Sequence, residues 1–182
     1  MYYPEKRILL KDGHSALFTG PAPEMAEEMI AYMKTTAGET PFLLRTPSEC
    51  NATVEAEAAY LRNLLESEYT VMIVCFVDGK LAGNCQLARK GHLKNRHRGT
   101  IGIAILREFW GLGIGRAMFD EMLEIAHCWG LSQVELEVIE GNERAMALYR
   151  KMGFETVAER PNAIRSEDGT LLKEFIMIKQ LN

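Results

Sequence analysis

Three glycines at alternate positions, Gly111-Leu112-Gly113-Ile114-Gly115-Arg116, lie between an apolar strand and an amphipathic helix. One strand later comes a second group, Asn142…Tyr149…Gly153-Phe154. Glycine lacks a Cβ, so its backbone amides can approach a bulky anion and its chain can take positive φ. A helix that starts at such a turn presents free N–H groups and its positive dipole end to that anion. The first group is therefore a phosphate-cradling turn. The second places a phenol on the helix one strand-helix unit further along.

Two familiar glycine loops are excluded by spacing. A dinucleotide fingerprint, G-x-G-x-x-G, requires glycine where Arg116 or Met118 stands. A nucleotide P-loop, G-x-x-x-x-G-K-S/T, requires glycine at Arg116 and a Lys-Ser or Lys-Thr pair that is absent. The segment Ile103 to Met118 (IAILREFWGLGIGRAM) instead resembles the acyl-CoA-binding motif of the GNAT superfamily of N-acetyltransferases. That pattern is Q/R-x-x-G-x-G/A, read here as Trp110-Gly111-Leu112-Gly113-Ile114-Gly115, with Trp110 in place of the usual basic or amide residue. The segment Leu136 to Phe154 (LEVIEGNERAMALYRKMGF) is similar to the second motif of the same superfamily. Together the two motifs span about the C-terminal half of the chain.

The resemblance implies acetyl transfer from acetyl-CoA, as co-substrate, to a primary amine. It implies backbone contacts to pantetheine from Ala104, Ile105 and Leu106, and a pyrophosphate cradle over Leu112, Gly113, Ile114, Gly115, Arg116 and Ala117. A backbone N–H near Ile105 would meet the developing oxyanion; donors of that kind are worth roughly 3–4 kcal/mol. Tyr149 would be the general acid for the departing thiolate, since a phenol of pKa ~10 can donate to a sulfur of pKa ~8.5. Spacing alone also suits Tyr149 as a core residue at the edge of the stripe Ala145, Leu148, Met152. Asn142 reads as a helix N-cap, and by resemblance also as a cofactor contact.

Two residues compete as general base. Glu137 stands five residues before Asn142, the place where the ribosomal-protein acetyltransferases of the superfamily carry a catalytic carboxylate; it also suits a solvated strand face, with Glu135 beside it. His97 begins the strand that ends at the cofactor turn, and an imidazole near pKa 6.5 accepts a proton at neutral pH. Its neighbours Lys90, His92, Lys94, Arg96 and Arg98 make a basic loop that suits an anionic substrate group, the CoA 3′-phosphate, or simple solvation. Glu108, close to the glycine turn, is a weaker candidate. A small-molecule amine is the expected acceptor, a peptide α-amine the second choice, and a non-catalytic acyl-CoA-binding module the reading from another class.

The elements that must position these groups follow from periodicity and punctuation. Residues 14–19 read as a strand, and Pro21 and Pro23 lead into a helix carrying Met25, Ile30 and Met33. Thr46-Pro47-Ser48-Glu49 is a helix start signal, and Thr53 to Ser67 carries Val54, Ala58, Leu61 and Leu65 at helical spacing. Tyr69 to Val77 and Leu81 to Ala88 are strands joined by Asp78-Gly79, a hairpin signal. A third strand covers His97 to Leu106, and a helix runs from Gly113 to Trp129 before Gly130. Gln133 to Ile139 alternates; a helix from Asn142 ends at Gly153; Phe154 to Glu159 and Leu171 to Lys179 finish the pattern. The implied architecture is a single α+β domain over residues 1–182, a mixed, mostly antiparallel sheet flanked by helices; the resemblance to the GNAT superfamily implies in addition that two neighbouring strands splay apart around the pantetheine arm.

Composition narrows the classes. The 182 residues are 47% hydrophobic and 25% charged, ordinary values for a globular chain with a substantial core. A net charge of −4 gives no field for nucleic acid or an anionic membrane. The four cysteines form no C-x-x-C pair and lie mostly in apolar segments, so buried thiols are expected, with no metal site and a reducing cytoplasm as the setting. No leader-like or membrane-length apolar run is present. The strand Leu171 to Lys179 reads as an exposed sheet edge through which a homodimer would pair.

Overall fold

The computed structural model describes residues 3–181. Its strands are β1 (Lys6–Leu9), β2 (Ser15–Thr19), β3 (Thr70–Val77), β4 (Lys80–Arg89), β5 (Arg98–Ile105), β6 (Gln133–Ile139), β7 (Glu155–Arg165) and β8 (Leu171–Gln180). Its helices are α1 (Ala26–Glu39), α2 (Val54–Glu66), α3 (Ile114–Cys128) and α4 (Glu143–Lys151). The strands form one sheet in the order β1-β2-β3-β4-β5-β6-β8-β7. Among its pairings only β5–β6 is parallel. The mixed, mostly antiparallel α+β sheet is the one the sequence implies.

Alternation along the strands builds two cores. Ile73, Cys75, Cys85, Leu87, Ile101, Val134, Leu136 and Val138 face α3 and α4, where they meet Met118, Phe119, Met122 and Tyr149. Met72, Val74 and Leu81 face the other way, toward Met29 and Tyr32 of α1 and Leu61 and Leu64 of α2. β3 is apolar on both faces because both are covered. This second core takes no residue from β6, β7 or β8, so α1 and α2 leave that half of the sheet open.

Local signals place most boundaries. Asp78 and Gly79 both take positive φ (49° and 79°), as a two-residue hairpin turn requires. The Thr53 hydroxyl accepts from Ala56 N at 3.2 Å and caps α2, while the Thr46–Glu49 capping box closes a separate 3-10 turn, Pro47–Glu49. The start signal at Thr46 therefore serves its own short turn, not α2. The buried face of α2 is also rotated from the expected stripe: Leu61 and Leu64 are buried while Val54 is exposed.

Three expectations are corrected. β1 was not expected; its exposed pattern carries no alternation. β7 continues past Pro161 to Arg165, which a proline can join because β7 is an edge and the register slips between Arg160 and Ile164. β8 is not an edge: it lies between β6 and β7 and is paired on both sides, so the dimer contact expected there has no free backbone to use. All four cysteines are free thiols; Cys50, Cys75 and Cys85 are buried and Cys128 is exposed. Among the described residues no helix is long and apolar enough to cross a membrane, and no group of His, Cys, Asp or Glu is arranged to hold a metal ion.

Candidate active site

The sheet forks at its centre. The parallel ladder holds only Arg98↔Gln133, Gly99↔Val134 and Thr100↔Glu135. Beyond Thr100 and Glu135 the strands run on without pairing to each other, β5 held on its far side by β4 and β6 by β8. The phase of the β4–β5 ladder decides which amides face the gap. Leu106 N donates to Ala82 O (2.9 Å) and Lys90 N to Arg98 O (3.0 Å). Even-numbered residues of β5 therefore bond to β4, and alternation turns the N–H and C=O groups of Ile101, Ile103 and Ile105 toward the gap. The Ile105 carbonyl is claimed by Trp110 Nε1 at 2.7 Å.

The glycine turn closes the wide end of the fork. Gly111 and Gly113 take φ of 84° and 97°, and α3 starts at Ile114 with no side chain capping it and no acidic residue in its first turn. Its first amides are thus free to meet an anion. Gly115 works differently. A Cβ there would stand 3.1 Å from Leu148 Cδ2 and 3.4 Å from Ile105 Cδ1. This glycine lets α3 close onto α4 and β5 rather than admitting a ligand. Lys11, from the β1–β2 connection, donates its N–H to Leu112 O (3.1 Å) and lays its side chain against Gly113. The charge missing at Trp110 has neighbours too: the guanidinium carbons of Arg144 and Arg107 lie 4.5 and 5.6 Å from its ring centroid.

Tyr149 and Glu137 lie on opposite faces of the sheet. Tyr149, on α4, is buried, its ring 5.4 Å from Phe119 of α3 and 6.3 Å from Phe154, the residue before β7. Its hydroxyl has no hydrogen-bond partner among the described residues. Burial, helped by the Cys85 thiol of β4, pushes its pKa up to about 12. It is the centre of the buried face of α4, not its edge. Glu137 projects from β6 on the face away from α3 and α4, half exposed, with Arg160 Nη2 at 3.2 Å. Glu135 shares that face. Asn142 caps α4 by accepting from Ala145 N at 3.2 Å.

His97 is not brought to the gap. It is exposed and precedes the paired segment of β5, and its carbonyl accepts from Ser132 N. The basic loop splits: Lys90 and Arg98 turn in toward Glu135, while His92, Lys94 and Arg96 stay exposed. That loop and the glycine turn lie at opposite ends of β5, which separates the loop from the phosphate cradle.

Tyr32 is a site residue the sequence reading missed. Its buried hydroxyl lies 2.7 Å from Ala104 O and 2.9 Å from Asn84 Oδ1, and it accepts from Asn84 N at 3.2 Å. It pins β4 to β5 beside the fork. Its place on the buried stripe Ala26, Met29, Tyr32 gives it an ordinary core appearance in sequence. Two cavities border the sheet. One of about 420 Å³ lies over Leu17, Met25 and Phe76, away from the fork. The smaller, about 280 Å³, contains Glu135 and Glu137 and is the one that touches it.

Residues 39–154, which carry the fork, the turn and both motifs, match the acetyltransferase (GNAT) family. The chain belongs to that family. It is 35% identical to the uncharacterized protein ML0378 of Mycobacterium leprae over 57% of this chain and 28% of that protein. It is 27% identical to the L-amino acid N-acetyltransferase AaaT of Escherichia coli over 46% of this chain and 52% of that one. It thus spans about a quarter and a half of the lengths of these curated relatives. A solved GNAT-family acetyltransferase of Streptococcus pneumoniae superposes with a TM-score of 0.86 at 25% identity, over 91% of this chain and 99% of that one. Acetyl-CoA is the co-substrate of GNAT enzymes. The free helix start fits its pyrophosphate, and the unpaired edge of β5 fits an amide-bearing arm such as pantetheine.

Proposed function

We propose that this GNAT protein transfers the acetyl group of acetyl-CoA to the primary amine of a small molecule. One observation carries the reading: the strands fork with free β5 amides in the gap, with a phenol in the core that packs Ile103 and Ile105 on one face and the Glu137 carboxylate of β6 on the other. Acetyl-CoA supplies an acyl group activated as a thioester. The residues of the chain bind it, orient it and move protons.

In this reading Ile114, Gly115 and Arg116 hold the pyrophosphate through their N–H groups, and Ile103 and Ile105 hold the arm. The Ile105 N–H meets the carbonyl oxygen as negative charge develops there. Glu137, directly or through a water, takes a proton from the acceptor ammonium. The freed nitrogen forms the new C–N bond as the C–S bond breaks, and its second proton leaves to solvent as the neutral amide forms. Tyr149 gives its proton to the departing sulfur and regains one from solvent. A phenol near 12 stays protonated through the physiological range. Its donation to a thiolate of pKa ~8.5 is uphill, so it completes only because an amide is more stable than a thioester. Glu137, at the fork, is the base in preference to His97, which stands outside it.

A thiol-release assay with acetyl-CoA and a panel of small amines, amino acids, aminoglycosides and peptides tests this. Acceptor-dependent CoA release with a small amine is expected. Tight acetyl-CoA binding without release for any acceptor would make the protein a non-catalytic acyl-CoA-binding module instead.

A further inference from the structure

The open face of β6 carries charge that its own ion pairs leave unbalanced. The cavity of about 280 Å³ there is lined by Lys90, Arg98, Thr100, Glu135, Glu137 and Arg160, floored by Ile176. At one end two cations share one carboxylate: Glu135 receives Arg98 Nη2 at 2.5 Å and Lys90 Nζ at 3.3 Å. Arg98 Nε at that end is buried with no hydrogen-bond partner. At the other end two carboxylates share one cation: Arg160 bonds Glu174 through Nη1 and Glu137 through Nη2. Ordinary surface pairing would leave both ends neutral. Here one end keeps an excess positive charge and the other an excess negative charge. Glu135 and Glu137 are alternate residues of one strand face, so the two ends lie roughly 7 Å apart.

We propose that this cavity is the acceptor site and that the acceptor is a small zwitterion, a primary amine with a carboxylate a few bonds away, as in an amino acid. Its ammonium sits at Glu137 and its carboxylate at Lys90 and the guanidinium of Arg98. The ammonium is then on the residue that faces the fork, where attack must begin. Glu174, behind that end, is buried, and burial, then the charge of Glu137, raise its pKa against the pull of Arg160. The cavity is below the ~300–1,000 Å³ typical of drug-sized ligands, which favours a single amino acid over an aminoglycoside or peptide. The catalytic part of this assignment rests on the acetyl-transfer reading; the binding part does not.

Calorimetry on the full chain with CoA present, using the common L-amino acids, their methyl esters and their N-acetyl derivatives, tests the site. At least one amino acid should bind, with both blocked forms at least tenfold weaker. Arg98→Gln should weaken that amino acid at least tenfold and erase its advantage over the methyl ester; Glu137→Gln should weaken it while leaving acetyl-CoA affinity unchanged. Absence of binding by every amino acid, or equal binding of amino acid and methyl ester to the unaltered protein, would overturn the proposal. The thiol-release assay keeps the two claims apart. Selective amino-acid binding without CoA release would sink the transferase reading and keep the site. Simple amines and esters acetylated as fast as amino acids would sink the site and keep the transferase.

Discussion

Tyr149→Phe separates catalysis from packing. The side chain is 8% exposed and its ring contacts Phe119 and Phe154, which phenylalanine retains. Its hydroxyl makes no hydrogen bond among the described residues, so none is lost. Stability at pH 8 should therefore change by less than about 1 kcal/mol, the scale of one net hydrogen bond. Truncation to alanine would cost about 3–5 kcal/mol, as for other large core aromatics. Turnover should behave oppositely. Loss of a general acid slows it by about 10²–10⁴, or roughly 3–5 kcal/mol of barrier, with little change in acetyl-CoA affinity. The alkaline limb supplies a second readout. The folded pKa is raised to about 12. Such a group contributes stability that is fully present below the unfolded pKa near 10 and lost as pH rises through the folded value. Two units correspond to about 2.7 kcal/mol, so Tyr149→Phe should lose less stability than the unaltered protein between pH 10 and 12. Steady-state kinetics, calorimetry of cofactor binding and urea melts at pH 8 and 11 measure all three. Unchanged turnover in the folded variant would return Tyr149 to a packing role and refute the acid assignment.

The remaining predictions concern the cradle, the base and a buried carboxylate. Gly113→Val, at φ 97°, should strain the turn by about 1–2 kcal/mol and weaken acetyl-CoA binding in calorimetry, whereas Gly115→Ala should press on Leu148 and depress turnover more than affinity; equal effects on both would contradict the separate roles. Glu137→Gln should slow the reaction most at low pH, where an ammonium is hardest to deprotonate, and His97→Ala should be mild; the reverse ranking in pH–rate profiles moves the base to His97. Burial acts to raise the pKa of Glu135, but the bonds and charges of Arg98 and Lys90 outweigh it and hold the carboxyl below the usual range. The stability it contributes is present above the ordinary glutamate pKa of ~4.3 and lost as pH falls below it. Glu135→Gln should therefore be less stable at pH 7 and approach the unaltered protein in acid, and parallel urea midpoints across that range would disprove it.

What the chain declares locally, it declares clearly. The Asp78-Gly79 hairpin, the Asn142 cap, the Gly153 stop, the alternation of β6 and the strand-turn-helix of the cradle each depend on a few consecutive residues and their φ preferences. The two motifs made the family and most of the site legible for the same reason. The fork itself, the interior place of β8, the pinning of Ala104 by Tyr32 and the Lys11 contact with Gly113 are not written that way. Each joins segments far apart in the chain, and a pattern of period two or 3.6 tells which face is apolar but not which neighbour covers it. β7 and β8 read as a plain hairpin, yet whether β8 or β7 lies against β6 depends on which strand can place Met177 in the core while leaving Arg160 beside Glu137 and Glu174. Gly115 looks identical to Gly113 in sequence, but the folded chain holds Gly113 at φ 97° beside Lys11 and sets Leu148 over Gly115. The types and spacing of the residues determined the chemistry available to this protein. Their charge partners and the openness of one face of β6 were decided by long-range packing, because the sum of non-local contacts sets which charges are left unmatched.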